Sequence, residues 1–215
     1  MSVFRDCISR RDLLRSAAAA TAAFALPSVL GGCKTPRAED NGDPGPSADL
    51  SRLSTWSGRL RAEGLTRSSL PVGRAGTRVG ELAIGTPYKA FTLESYIKAG
   101  GDPTGTEPLT LSLTEFDCVS LVEGCLGVAR TADGAATPSW NSFGREVERM
   151  RYRNGERGSY ATRLHYFSEW ITDGARRGLV RDLAPELGGV EDARPLRFMT
   201  EHRASYPALA NDKLF

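Results

Sequence analysis

An aspartate followed by a cysteine, in the run Leu113-Thr-Glu-Phe-Asp-Cys-Val-Ser-Leu-Val-Glu123, is the pair in this chain whose residue types and placement best suit them for chemistry. From Cys118 onward Leu121, Val122, Cys125, Leu126 and Ala129 recur at three- and four-residue intervals, the period of a helix that buries one face. Asp117 is then the natural N-cap, and the sulfur of Cys118 sits on the first turn. There, unpaired backbone N–H groups and the positive end of the helix dipole favour thiolate over thiol, as a cysteine nucleophile requires. Cys125 lies on the same face but deeper along the helix, and is expected to be a small core residue. The two cannot easily form a disulfide, because seven residues of helical rise separate them by about 10 Å.

The elements that must position this thiol are mostly helical. Leu50, Leu53, Trp56 and Leu60 outline a first amphipathic helix, capped near Ser47 or Asp49 and ending near Gly64. Residues 76–90, with their glycines and a proline, read as turns and extended backbone, and a Gly/Pro-rich loop follows over 100–108. After the Cys118 helix, Phe143, Val147 and Met150 mark a third helix that stops near Asn154-Gly155. Leu164, Phe167, Ile171 and Ala175 mark a fourth from about Thr162 to Arg177. Residues 195–215 hold one short apolar piece. The composition is α+β with helices dominating.

At 215 residues, with 25% charged residues and a formal net charge of +2, the chain has room for one medium domain. Its arginines are interleaved with acids, so no basic stripe for nucleic acid is present. The N-terminus is a targeting segment. Ser9-Arg-Arg-Asp-Leu-Leu-Arg15 precedes an alanine-rich apolar stretch and resembles a twin-arginine export signal. The stretch ends in Leu30-Gly-Gly-Cys33, similar to a bacterial lipobox, in which cleavage leaves Cys33 lipidated. Residues 1–32 are accordingly read as signal peptide and 33–49, rich in proline and glycine, as a disordered tether. Residues 50–215 are the domain, expected on the periplasmic face of a bacterial envelope and held to its membrane by lipid at Cys33.

Four segments in order, Gly85-Thr-Pro-Tyr88, Phe116-Asp-Cys118, Arg151-Tyr-Arg-Asn-Gly155 and Arg163-Leu-His-Tyr-Phe-Ser-Glu-Trp170, carry a family resemblance. The chain resembles the N-acetylmuramoyl-L-alanine amidase-like family, a branch of the NlpC-type, papain-like cysteine amidases. The resemblance implies a helical half carrying the cysteine, packed on a small antiparallel sheet carrying the base. It also implies hydrolysis of peptidoglycan or muropeptides, at the N-acetylmuramoyl-L-alanine amide or a nearby stem-peptide bond, with no metal or other cofactor. Cys118 would attack the carbonyl and form a thioester. Tyr88 would lend its hydroxyl beside the oxyanion together with the Cys118 backbone N–H. Arg151, Arg153, Arg163 and His165 would line the cleft and receive substrate carboxylates.

One departure from the pattern stands beside these roles. NlpC-type enzymes carry a base histidine in a Ser- or Asp-His-Val-Gly strand after the cysteine, and this chain has only His165 and His202, neither in such a setting. The expectation is a C-terminally truncated domain with the sheet half largely missing and weak activity. A peptidoglycan-peptide-binding lipoprotein without turnover is the alternative.

Overall fold

Asp117 starts the central element in the manner its residue type dictates. In the computed structural model its carboxylate accepts the backbone N–H of Ser120 at 2.8 Å, and the Ser120 hydroxyl accepts the Asp117 N–H at 2.9 Å, a reciprocal cap. The structure describes residues 46–66, 71–134, 137–190, 192 and 194–214, all within one compact unit. Seven α-helices are formed among them: α1 (Ser47–Ala62), α2 (Val72–Leu82), α3 (Ser95–Lys98), α4 (Cys118–Asp133), α5 (Trp140–Arg151), α6 (Phe167–Arg176) and α7 (Phe198–Glu201). Short 3-10 turns join several of them.

Helix α4 is the hub and packs against α1, α2 and α5. The main core joins Leu53, Trp56 and Leu60 of α1, Val79 of α2, Val128 and Ala129 of α4, and Phe143 and Val147 of α5. The expectation of a single buried face on α4 is corrected, because Glu123, Gly124, Cys125, Gly127, Val128, Ala129, Thr131 and Ala132 are all buried. Gly127 makes that close packing possible. A Cβ there would lie 2.9 Å from the Phe143 ring and 3.1 Å from Val147. Cys125 is a core residue, as expected.

Residues 76–90 are also corrected in part, since α2 runs through Gly76 and Gly80. A helical glycine costs about 1 kcal/mol relative to alanine, which is why the segment reads as turns. Close packing on α4 outweighs that cost. Ala75, Gly76 and Val79 face inward, and a Cβ on Gly76 would sit 3.2 Å from Leu126. Helix α1 begins at Ser47, inside the segment read as tether. Asp49 in its first turn is buried and accepts the Leu113 backbone N–H at 2.6 Å. Helix α6 begins at Phe167 rather than near Thr162, because residues 160–162 form a separate 3-10 turn.

No strand is formed among the described residues, so the α+β reading gives way to a mostly helical fold. What remains of β pairing is two isolated bridges, Tyr88 with Phe116 and Tyr152 with Arg163. Both position the site. The first is held by Lys89 N–H to Phe116 O (2.8 Å) and Phe116 N–H to Pro87 O (3.1 Å), which fastens the Tyr88 loop alongside the start of α4. The second, with Leu164 N–H to Arg151 O at 3.0 Å, lays residues 163–165 beside the end of α5. No described helix is long and apolar enough to cross a membrane. Cys33 and the leader lie outside the described residues.

Candidate active site

Cys118 is the first residue of α4, and its side chain is exposed. It opens into a cavity of about 650 Å3 whose lining includes Tyr88, Phe91, Glu94, Arg163 and His165. Four of the residues singled out from sequence, Cys118, Tyr88, Arg163 and His165, are thus brought together. Residues 196–206 supply another part of the lining through Leu196, Phe198, Met199 and Tyr206, and the Tyr166 hydroxyl accepts the Met199 N–H at 2.9 Å.

Asp117 does more than cap the helix. Its second carboxylate oxygen accepts both the hydroxyl and the backbone N–H of Thr92, tying the 91–94 loop to the cysteine. Burial pushes this carboxyl upward, but the hydrogen bonds from Ser120 and Thr92 outweigh it and hold the group below the usual carboxylate range. The charged cap is therefore retained at neutral pH.

Arg163 is buried and shared between two carboxylates. Its Nη2 lies 2.7 Å from Glu94 Oε1, its Nε lies 3.3 Å from Glu107 Oε2, and its guanidinium stands over the Tyr160 ring. Burial raises the Glu107 carboxyl, with Arg163 partly offsetting it. The guanidinium is thus spent on joining the Glu94 loop to the segment before α6. His165 is packed against the Tyr160 ring, and its Nε2 lies 2.7 Å from the Tyr160 carbonyl oxygen. A carbonyl only accepts, so Nε2 carries the proton and Nδ1 holds the lone pair. Burial, then the nearby Arg163 charge, lowers the imidazole to about 4. It is neutral at pH 7 and a weak proton acceptor.

The other two arginines lie elsewhere. Arg151 is buried away from the cavity, with Nε 2.8 Å from the buried Glu123 Oε2 and one Nη on the Thr110 carbonyl. Glu123 is one and a half turns past Cys118, so this ion pair fastens the thiol's helix to the end of α5. Burial raises the Glu123 carboxyl, and Arg151 opposes that. Arg153 is half-exposed, 3.5 Å from Glu169, and lines a separate depression with Asn154 and Arg176. Sequence reasoning missed Phe91, Thr92, Glu94 and the Glu123 partner. Nothing in their spacing marked them, since an isolated Thr-Leu-Glu reads as an ordinary loop and a glutamate among apolar helix residues as an exposed one.

Residues 78–215 match the model of the AmiA-like family, described as N-acetylmuramoyl-L-alanine amidase-like. The chain belongs to that family. Residues 7–27 match the twin-arginine translocation signal, which supports export by that route. A crystal structure of an N-acetylmuramoyl-L-alanine amidase from Bacteroides uniformis is similar at 30% identity and a TM-score of 0.55, over 65% of this chain and 55% of that one. A second structure of an amidase from the same organism gives 31%, 0.54, 66% and 58%. A protein from Bacteroides fragilis described as a putative xylanase gives 33%, 0.51, 62% and 54%. The chain spans little more than half the length of these proteins. No curated protein matches it.

Proposed function

We propose that this AmiA-like chain is a cysteine amidase of the NlpC type, which attacks the amide between N-acetylmuramic acid and L-alanine, or a nearby stem-peptide amide, through Cys118. The observation that carries the reading is the exposed thiol on the first residue of a capped helix, opening into a cavity shared with Tyr88 and His165. The thiolate adds to the carbonyl carbon, and the resulting oxyanion is received by the Cys118 backbone N–H and the Tyr88 hydroxyl. Collapse expels the amine of the peptide, which takes a proton, and leaves a thioester that water hydrolyses. Lipid at Cys33 would hold the domain at the envelope membrane. The test is mass-spectrometric analysis of N-acetylmuramoyl-tetrapeptide incubated with the chain and with Cys118→Ala. Free tetrapeptide formed by the first and not by the second is expected, and equal release by both would overturn the reading.

The second reading, a peptidoglycan-peptide-binding lipoprotein without turnover, is favoured by one observation. His165 has its Nε2 committed to a carbonyl and a proton affinity lowered to about 4. General base assistance is worth about 10²–10⁴ in rate, so turnover by this chain is expected to be slow. A peptide bearing a Ser/Asp-His-Val-Gly strand, added in trans, is expected to raise the rate if a better base is what is lacking. If His165 is the base in use, His165→Ala abolishes what turnover there is. Binding of muropeptide with no Cys118-dependent cleavage under either condition selects the second reading.

A further inference from the structure

The loop that carries Tyr88 is tied to two consecutive residues at the start of the thiol's helix. Lys89 N–H bonds the Phe116 carbonyl at 2.8 Å, and Thr92 bonds the Asp117 carboxylate through its N–H at 3.2 Å and through its hydroxyl. Residues 89–92 must therefore leave Phe116 and return beside it, and the chain reverses at Ala90 and Phe91. In that reversal Phe91 takes the left-handed conformation that L side chains avoid, at φ 62° and ψ 33°. Glycine would make this turn without strain. The phenylalanine bears the strain, and its ring is 63% exposed, so neither the turn nor the core accounts for the ring.

What the ring does is meet Lys98. The ammonium stands 3.5 Å from the ring centre, and it has no carboxylate partner among the described residues. A cation over a ring face is held by the ring's quadrupole. Lys98 ends α3, whose Ile97 is buried in a cluster with Tyr160, Ala208 and Leu209, so the contact ties the tip of the turn to a fixed part of the domain. Tyr88 needs such a tie, because its side chain is 72% exposed and keeps its place at the cavity only as far as the loop does. A hydrogen-bond donor stabilises an oxyanion through geometry fixed in advance, and a donor that must be ordered during the reaction loses much of its effect. Resting on the role proposed for Tyr88 in the amidase reading, we infer that Phe91 and Lys98 are positioning residues for Tyr88. Their cation–π contact is the third anchor of the loop, and it holds the phenol beside the carbonyl oxygen under attack.

The experiment separates addition to a carbonyl from simple displacement at the same sulfur, in the full chain at pH 7. With p-nitrophenyl acetate the Cys118 thiolate adds to the ester carbonyl, passes through an oxyanion, expels p-nitrophenolate and becomes an acetyl thioester. With iodoacetamide it displaces iodide and forms no oxyanion. Both rates are read on the Cys118 peptide by mass spectrometry, which keeps the other cysteines apart. One oxyanion donor is worth about 10²–10³ in rate in an assembled site, so Tyr88→Phe is expected to slow acylation by at least about tenfold and to leave alkylation within about twofold. Phe91→Gly and Lys98→Met are each expected to slow acylation about fivefold, the scale of one exposed cation–π contact, with alkylation unchanged. Lys98→Arg is expected to keep the parent rate, and Phe91→Gly to melt no lower than the parent, since glycine accepts the left-handed backbone. The deciding arm combines Tyr88→Phe with Lys98→Met: a cation that acts through Tyr88 has nothing further to lose once the phenol is gone. Losses that multiply, acylation that survives both Phe91→Gly and Lys98→Met, or acylation and alkylation that fall together overturn the positioning role and leave the amidase reading standing. Undiminished acylation in Tyr88→Phe removes the oxyanion role and this inference with it, and a parent whose Cys118 is not acylated at all overturns the amidase reading too.

Discussion

The two walls of the Cys118 cavity are built differently. The wall that carries the thiol rests on α4, which is buried around most of its circumference and bolted to α5 by the Glu123–Arg151 pair. Another wall comes from residues 196–206, whose only α-helix, α7, has four residues, and whose Leu196 and Phe198 are largely exposed. It is anchored by a small cluster of Ile97, Tyr160, Ala208 and Leu209 and by the Met199–Tyr166 hydrogen bond. A nucleophile needs fixed geometry, and the first wall supplies it. The second has few buried apolar contacts, so its local opening free energy should lie well below that of the first.

Removing the ion pair behind the thiol should break this contrast most strongly. Arg151→Ala leaves the fully buried Glu123 carboxyl without its cation, so that it must stay charged in a dry site or take up a proton, and a loss of about 3–5 kcal/mol of stability is expected in urea unfolding. Arg151→Met with Glu123→Met should recover most of it, because the pair's own burial is costly. A loss below about 1 kcal/mol for Arg151→Ala would mean that water reaches Glu123. Leu209→Ala is the matching change in the weak wall. Truncating a buried leucine costs about 2–5 kcal/mol when its surroundings cannot collapse. Here the expected result is local: hydrogen exchange over 195–214 rises toward the unprotected rate while α4 amides stay protected. Equal loss of protection in both would show that the walls unfold as one unit.

The same contrast describes what the sequence made legible. Asp117 as cap, Cys118 on the first turn and Cys125 in the core followed from period and residue type, because a helix that packs on its neighbours keeps its pattern. Helix α2 did not follow, since its glycines oppose helix formation locally and only packing on α4 reverses the balance. Arg151 and Arg163 were legible as important but not as internal partners. An arginine's role depends on which carboxylate the fold brings to it, and Glu123, Glu94 and Glu107 lie 28, 69 and 56 residues away in sequence. Phe91 left no trace, because a backbone angle has no periodicity.

His165 offers a pH test of how firmly the two walls meet, since it lies in the segment between them. Its folded-state value of about 4 is below the ordinary imidazole value of 6.5. Between those values the unfolded chain binds the proton more readily, so the histidine's contribution to stability is complete above 6.5 and is lost as pH falls toward 4. Glu107 and Glu123, raised by burial, work in the opposite sense as pH falls. The informative quantity is therefore the difference between wild type and His165→Gln. Wild type is expected to lose stability relative to the variant from pH 6.5 to 4.5, and parallel curves would mean that the ring is open to water.

The smallest effect on stability is expected at Asp117, where the comparison becomes one between a helix cap and a loop clamp. Asp117→Ala removes both and should cost about 1 kcal/mol, the usual scale of an N-cap. Asp117→Ser keeps an oxygen for the Ser120 N–H but is too short to reach Thr92 as well, so its cost should be a few tenths of a kcal/mol. The carboxyl is held below its ordinary value, so the difference between wild type and Asp117→Ser should be complete above about pH 4 and vanish as acid protonates the folded-state group. Function should separate from stability at this position. If the Thr92 clamp is what holds Phe91 and Glu94 beside the thiol, Asp117→Ser loses as much Cys118-dependent muropeptide hydrolysis as Asp117→Ala despite folding almost as well as wild type. Equal activity of Asp117→Ser and wild type would assign Asp117 to the helix alone and leave the loop to be held by Arg163.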